Sequence, residues 1–261
     1  MLFYRFALTL LFLPLLNTIR ARRPIDPEAD MPASAIIQYW GYPFEEYRAT
    51  TEDGYVLTLF RIQHGRSKDC KLLGPPFLLA HGLGASAEHF IMNPPESSPA
   101  FILADAGLDV WLLNFRGSRH SKSHVHYTAN QSEFWDFSWD EMAEYDIPAA
   151  VNLITRISGR RAVYYAGHSQ GTLVLFAKLA SDPAFSQRIR RFFALAPIIT
   201  AKHVRGPMNL LRYTHPILQR WIDVFGHTEF VLPTRYLASF LSKLWCSSSG
   251  WSNTCAEFVA L

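Results

Sequence analysis

The 261-residue chain predicts an α/β fold, a mostly parallel sheet led by an antiparallel hairpin. Three observations carry that expectation. Phe77–Ala80 is a short continuous apolar run, the mark of a strand buried on both faces of a parallel sheet, and Asp109–Asn114 and Val163–Ala166 are two further segments of strand character. Each ends in polar or Gly-containing turn residues and is separated from the next by a helical stretch, the repeat that yields right-handed βαβ crossovers. Ahead of them, Asp53-Gly54 lies between two β-rich runs, a strong local hairpin signal. With 49% hydrophobic residues the chain can bury one large core.

In chain order, residues 1–21 stand apart. Arg5 supplies a positive start, Phe6–Leu16 is apolar apart from Thr9, and Ala21 suits a cleavage position, although Ile19 is large for its place before the cut. The run is too short to span a bilayer, so it reads as a secretory signal peptide and not a transmembrane anchor. Arg23–Pro32 is a Pro-punctuated lead-in, and Ala33–Trp40 a short helix stopped by Gly41. The hairpin strands are Phe44–Thr50 and Tyr55–Ile62, followed by a loop over Gln63–Pro76. After the Phe77–Ala80 strand come a helix over Ala100–Ala106, stopped by Gly107, and the Asp109–Asn114 strand. A polar excursion runs to Ser132. The next helix, Asp140–Ile157, has Ser138 and Glu141 spaced as a capping box, and Pro148 is expected to kink it. A strand, a helix to Ser181 and a further strand over Arg191–Ala196 complete an α/β core over residues 22–197. Residues 198–261 change character: they are aromatic-rich, helical in periodicity and without a convincing strand, and predict an apolar helical segment over the sheet.

The chemistry concentrates at Gly167-His168-Ser169-Gln170-Gly171, a Gly-x-Ser-x-Gly that follows a strand and opens a helix. Gly167 and Gly171 leave room for a strained turn that lifts the Ser169 hydroxyl to the top of the sheet, at a helix N-terminus that favours developing negative charge. Ser169 is the candidate nucleophile. The N–H of Gln170 is one candidate oxyanion donor, and the N–H of Leu83, in His81-Gly82-Leu83-Gly84 after the first parallel strand, is the other. His81 precedes the nucleophile and reads as a structural hydrogen-bonding residue. His168 is set aside as a base, because its adjacent position in the turn points it elsewhere.

Removing residues 1–21 takes away Arg5 and Arg20 and no acid, so the formal charge falls from +3 to +1 (23 basic against 22 acidic residues). No Lys/Arg cluster with interleaved aromatics is present, and no nucleic-acid partner is expected. Of Cys70, Cys246 and Cys255, the close pair Cys246 and Cys255 can bridge a short loop in an oxidising compartment, leaving Cys70 odd. Their spacing fits no zinc pattern, so neither a metal site nor a cofactor is expected. Asn130-Gln131-Ser132 is a sequon, which in a secreted chain implies a glycosylated surface position.

Several segments together resemble the acid lipase family of α/β hydrolases: His81-Gly82-Leu83 with Ala85-Ser86; Asn114-Phe115-Arg116-Gly117; Glu133–Ser138; Asp140–Ala149; and Gly167–Thr172. The resemblance runs from about residue 30 onward. It implies an α/β-hydrolase fold with a helical cap over residues 198–261, a secreted or lysosomal location, a Cys246–Cys255 cap disulfide, and hydrolysis of triacylglycerols or cholesteryl esters at a lipid–water interface. The family also places its catalytic acid and histidine after later strands, beyond the cap. Downstream of Ser169 this chain offers His203, His215 and His227, and Asp182, Asp223, Glu229 and Glu257 among its acids. None follows a recognisable strand end, so none is assigned to the triad; Asp223 and His227 read as a solvated i, i+4 pair. The expectation is a lipid-ester hydrolase sequence lacking its catalytic Asp and His and the last strands of the sheet. The alternative is a non-catalytic truncated product that binds lipid or a partner through the aromatic segment. A weaker third reading, an esterase of small soluble substrates, is disfavoured by that apolar segment.

Overall fold

A computed structural model describes residues 27–28, 31–67 and 74–200. The expected signal segment, Cys70, Cys246, Cys255 and the part of the expected cap beyond Thr200 lie outside the described residues. After helix α1 (Ala33–Tyr39) the strands are β1 (Glu45–Thr50), β2 (Tyr55–Ile62), β3 (Pro76–Ala80), β4 (Asp109–Leu113), β5 (Ser123–His124), β6 (Val163–His168) and β7 (Ile189–Leu195). They form a seven-stranded sheet ordered β1-β2-β4-β3-β6-β7, with β5 paired to β2. The α/β expectation and the antiparallel lead hold. β1 pairs antiparallel with β2 and β2 antiparallel with β4, while β4, β3, β6 and β7 are parallel neighbours.

Apolar side chains cover both faces of that sheet. On one, Leu57, Leu59, Leu78, Trp111 and Tyr165 pack against Ile147, Val151 and Ile154 of the later helices. On the other, Phe60, Ile62, Leu79, Val110 and Leu112 meet Ile37 of α1 and Phe101 of helix α2 (Pro99–Asp105). β3 and β4 are buried along their whole length, which is why they read as continuous apolar runs.

The differences from expectation are local. The hairpin turn is a four-residue loop, Thr51–Gly54, closed by Thr51 N–H to Tyr55 O (2.8 Å) and Gly54 N–H to Thr51 O (3.0 Å), with Gly54 at φ 97°. The polar excursion contains β5, whose His124 and Ser123 pair with Tyr55 and Val56. The long helix starts at the expected capping box, Ser138 with Glu141. It then runs as α3 (Trp139–Glu141), a π turn (Met142–Asp146) and α4 (Ile147–Ser158). The irregularity therefore precedes Pro148, which sits in the first turn of α4 where its missing N–H costs nothing. Helix α5 (Gln170–Ser181) follows the serine, and β7 begins two residues earlier than the apolar pattern suggested.

Candidate active site

β6 lies between β3 and β7 and delivers Ser169 from its C-terminal end. Ser169 sits at φ 50°, ψ −114°, a conformation that a non-glycine residue keeps only when its surroundings impose it. The imposing contacts are visible. Ser169 N–H donates to Leu195 O on β7 (3.0 Å), and Ser169 O accepts from Thr172 N–H (2.9 Å) and the Thr172 hydroxyl (2.6 Å). Tyr165 OH donates to Gly171 O (2.8 Å) beneath the turn, and burial pushes that phenol upward. The flanking glycines are required sterically: a Cβ on Gly167 would lie 2.5 Å from Gly171 O, and one on Gly171 2.4 Å from Ala80 O. Gln170 is the first residue of α5, so its N–H has no acceptor within the helix.

The loop after β3 approaches this turn closely. A Cβ on Gly82 would come within 3.2 Å of both Ser169 Cβ and His168 Nδ1. Leu83 follows with its side chain 73% exposed, and Gly84 at φ 71° turns the chain back. Folding thus brings Ser169, Gln170 and the Gly82-Leu83 backbone to one place at the top of the sheet.

Three ties hold that loop against the segment after β4. Phe115 N–H donates to His81 Nε2 (3.2 Å), which fixes Nδ1 as the donor to Gly82 O (2.8 Å). His81 is therefore neutral; burial lowers its pKa to about 4, and neither nitrogen is left for Ser169. Ala87 N–H donates to Asn114 Oδ1 (2.9 Å), while Asn114 Nδ2 donates to Thr58 O (3.1 Å). Glu88 meets His120 Nε2 at 2.5 Å and accepts from Ser86 Oγ at 2.5 Å. Burial pushes the Glu88 carboxyl up, but these partners outweigh it and hold the pKa down at about 2. His168 turns away from Ser169 and stacks on His89, with ring centroids 4.5 Å apart. Burial, then the neighbouring His168 ring, lowers the His89 pKa.

Below, buried Arg116 joins Asp53 of the hairpin loop (2.5 Å) to Asp146 of the π turn (2.7 Å), and its guanidinium lies 4.1 Å from the Tyr55 ring centre. Burial raises the Asp146 carboxyl to about 6 against the pull of Arg116. Arg116 appears in the quoted Asn-Phe-Arg-Gly segment, but its partners come from distant segments and were not legible. The same holds for Asn114 with Ala87 and Glu88 with His120. Asn130 is exposed in a turn. Among the described residues no imidazole is hydrogen-bonded to the Ser169 hydroxyl and no group of residues could hold a metal ion; His203, His215 and His227 lie outside them.

Residues 33–94 match the model of a partial alpha/beta-hydrolase lipase region, and residues 75–218 that of the alpha/beta hydrolase fold. Gastric triacylglycerol lipase of Mus musculus is 46% identical over 226 residues, 86% of this chain and 56% of that protein. The Homo sapiens gastric triacylglycerol lipase is 43% identical over 236 residues, covering 90% and 58%. Lipase member K of Homo sapiens is 41% identical over 235 residues, also 90% and 58%. The chain spans somewhat over half the length of these curated relatives.

Proposed function

The chain belongs to the α/β-hydrolase fold family, and from that premise we propose that it supplies the nucleophile and oxyanion site of a serine carboxylic-ester hydrolase acting on lipid esters. The observation that carries this reading is the Ser169 turn, strained at φ 50° and packed against the Gly82 backbone. A serine with a merely structural role needs neither the strain nor an apposed glycine loop.

In this mechanism the Ser169 oxygen attacks the ester carbonyl and its proton passes to a base. The carbonyl oxygen becomes an oxyanion that accepts from the N–H groups of Gln170 and Leu83 at the positive end of α5. The C–O bond to the alcohol breaks, the alcohol leaves with the proton, and water then releases the acid from the acyl-serine by the same path in reverse order. His81 is committed to Gly82 and Phe115. No residue of this chain is assigned as the base or its orienting carboxylate; the family resemblance places both after later strands, beyond the cap. Exposed Leu83 beside the serine and the lipase names of the relatives support a long-chain lipid ester over a small soluble one. A secretory route, a glycan on Asn130 and a Cys246–Cys255 bridge belong to the same reading.

A fluorophosphonate probe applied to the protein as its own cells produce it should label wild type and leave Ser169→Ala unlabelled. Equal labelling of both removes Ser169 as nucleophile. Wild-type hydrolysis of emulsified long-chain esters should exceed that of dissolved short-chain esters; the reverse order would overturn the lipid assignment.

A further inference from the structure

At the other end of β6, away from Ser169, folding assembles a basic cavity. α4 ends at Ser158, where Gly159 in the left-handed conformation (φ 68°) turns the chain into Arg160 and Arg161 ahead of β6. The turn before β7 ends at Arg188, and Val163 of β6 is paired with Ile189 of β7, so the two approaches lie side by side. Between them is a shallow cavity of about 550 Å³ lined by Thr155, Arg156, Arg160, Arg161, Gln187 and Arg188, with the Gly159 backbone completing it. Four arginines line it, and no acidic residue does. Among the described residues none of the four has an ion-pair partner.

A helix C-terminus attracts basic residues through its dipole, and that accounts for Arg156 and its immediate successors. It does not account for Arg188. That side chain arrives from another segment and is fixed over α4: both hydrogens of Nη2 are spent on Asn152 Oδ1 and Thr155 Oγ1, each at 3.0 Å. Its Nε–H and Nη1 hydrogens stay free of described protein acceptors. That pre-oriented guanidinium shares the cavity with three further arginines. A tetrahedral oxyanion suits such a set, because guanidinium forks match phosphate oxygens in pairs.

We propose that this cavity is an anion-binding site for a soluble ligand carrying more than one phosphate group. The placement favours a soluble ligand over a lipid headgroup. Ser169 emerges at the C-terminal end of β6 and the arginines gather at its N-terminal end, so a lipid layer facing one end leaves the other in water.

Inorganic tripolyphosphate, titrated calorimetrically into the full chain at about 50 mM salt, where exposed charges are only partly screened, should bind saturably. The double variant Arg160→Gln/Arg161→Gln should weaken binding at least about tenfold, and Arg188→Gln should do the same, through loss of charge-assisted pairs. Arg48→Gln/Arg66→Gln removes equal charge outside the cavity and should stay within about twofold, as expected for screened distant charges. Arg160 and Arg161 are exposed, so their double variant tests the site even if Arg188→Gln misfolds. Absent saturation, or equal weakening by the Arg48/Arg66 pair, overturns the site in favour of diffuse charge attraction. Binding to phosphatidylinositol phosphate vesicles without binding to tripolyphosphate overturns the soluble-ligand assignment.

Discussion

Two glycines beside Ser169, Gly171 and Gly82, separate what the site needs for chemistry from what it needs for folding. A methyl on Gly171 would meet the Ala80 carbonyl oxygen at 2.4 Å, a backbone atom, and neither β3 nor α5 can yield without opening the sheet. Gly171→Ala should therefore cost about 1–3 kcal/mol or more, as overpacked cores do, read as a lowered urea midpoint. A methyl on Gly82 meets its neighbours at 3.2 Å, a misfit that a shift of the loop by a few tenths of an ångström absorbs. That shift moves the Leu83 N–H, and Gly82→Ala should lower kcat for ester hydrolysis about 10- to 100-fold with little change in midpoint, the penalty typical of a displaced oxyanion donor. If Gly82→Ala hydrolyses esters at the wild-type rate, Leu83 is not that donor.

Elements differ in how far their sequence announces them. β3, β4 and β6 were legible because a strand buried on both faces is a continuous apolar run, and the elbow because all its parts lie within a few residues. The capping box at Ser138 was legible for the same local reason. The π turn before Pro148 was not: it places Asp146 against Arg116, a demand set by a partner 30 residues away. The basic cavity stayed hidden because two short arginine segments are separated in sequence by β6 and α5. The Arg116 cluster ties hairpin loop, β4 and π turn together, so its removal should be felt across elements. Arg116→Met leaves Asp146 buried beside Asp53 without their cation and should cost about 3–5 kcal/mol, measured by equilibrium unfolding at neutral pH. A cost below about 1 kcal/mol would mean that the cluster does not hold these elements together.

Across the whole molecule, acid should weaken the fold through the junction that carries the oxyanion loop. His81 titrates near 6.5 when unfolded and at about 4 when folded, so the unfolded chain binds its proton first and stability falls as pH drops through that window. Glu88 is depressed from 4.5 to about 2; the stability it contributes is fully present above 4.5 and is lost as pH falls toward 2. Buried Asp146 acts in the opposite sense. Its carboxyl is raised from 3.8 to about 6, so acidification toward 3.8 relieves the cost of burying its charge. Opposed contributions of His81 and Asp146 should make the urea midpoint nearly level between pH 6 and 4.5. Below 4.5 Glu88 contributes to the fall together with Glu45, Asp53, Asp105 and Glu141, whose carboxyls are also held below their ordinary range; its ties to His120 and Ser86 hold the oxyanion loop to the segment after β4. Glu88→Gln removes its share of that titration, and its midpoint should fall less than that of wild type between pH 4.5 and 2. Parallel curves for the two proteins over that range would show that acid enters the fold elsewhere.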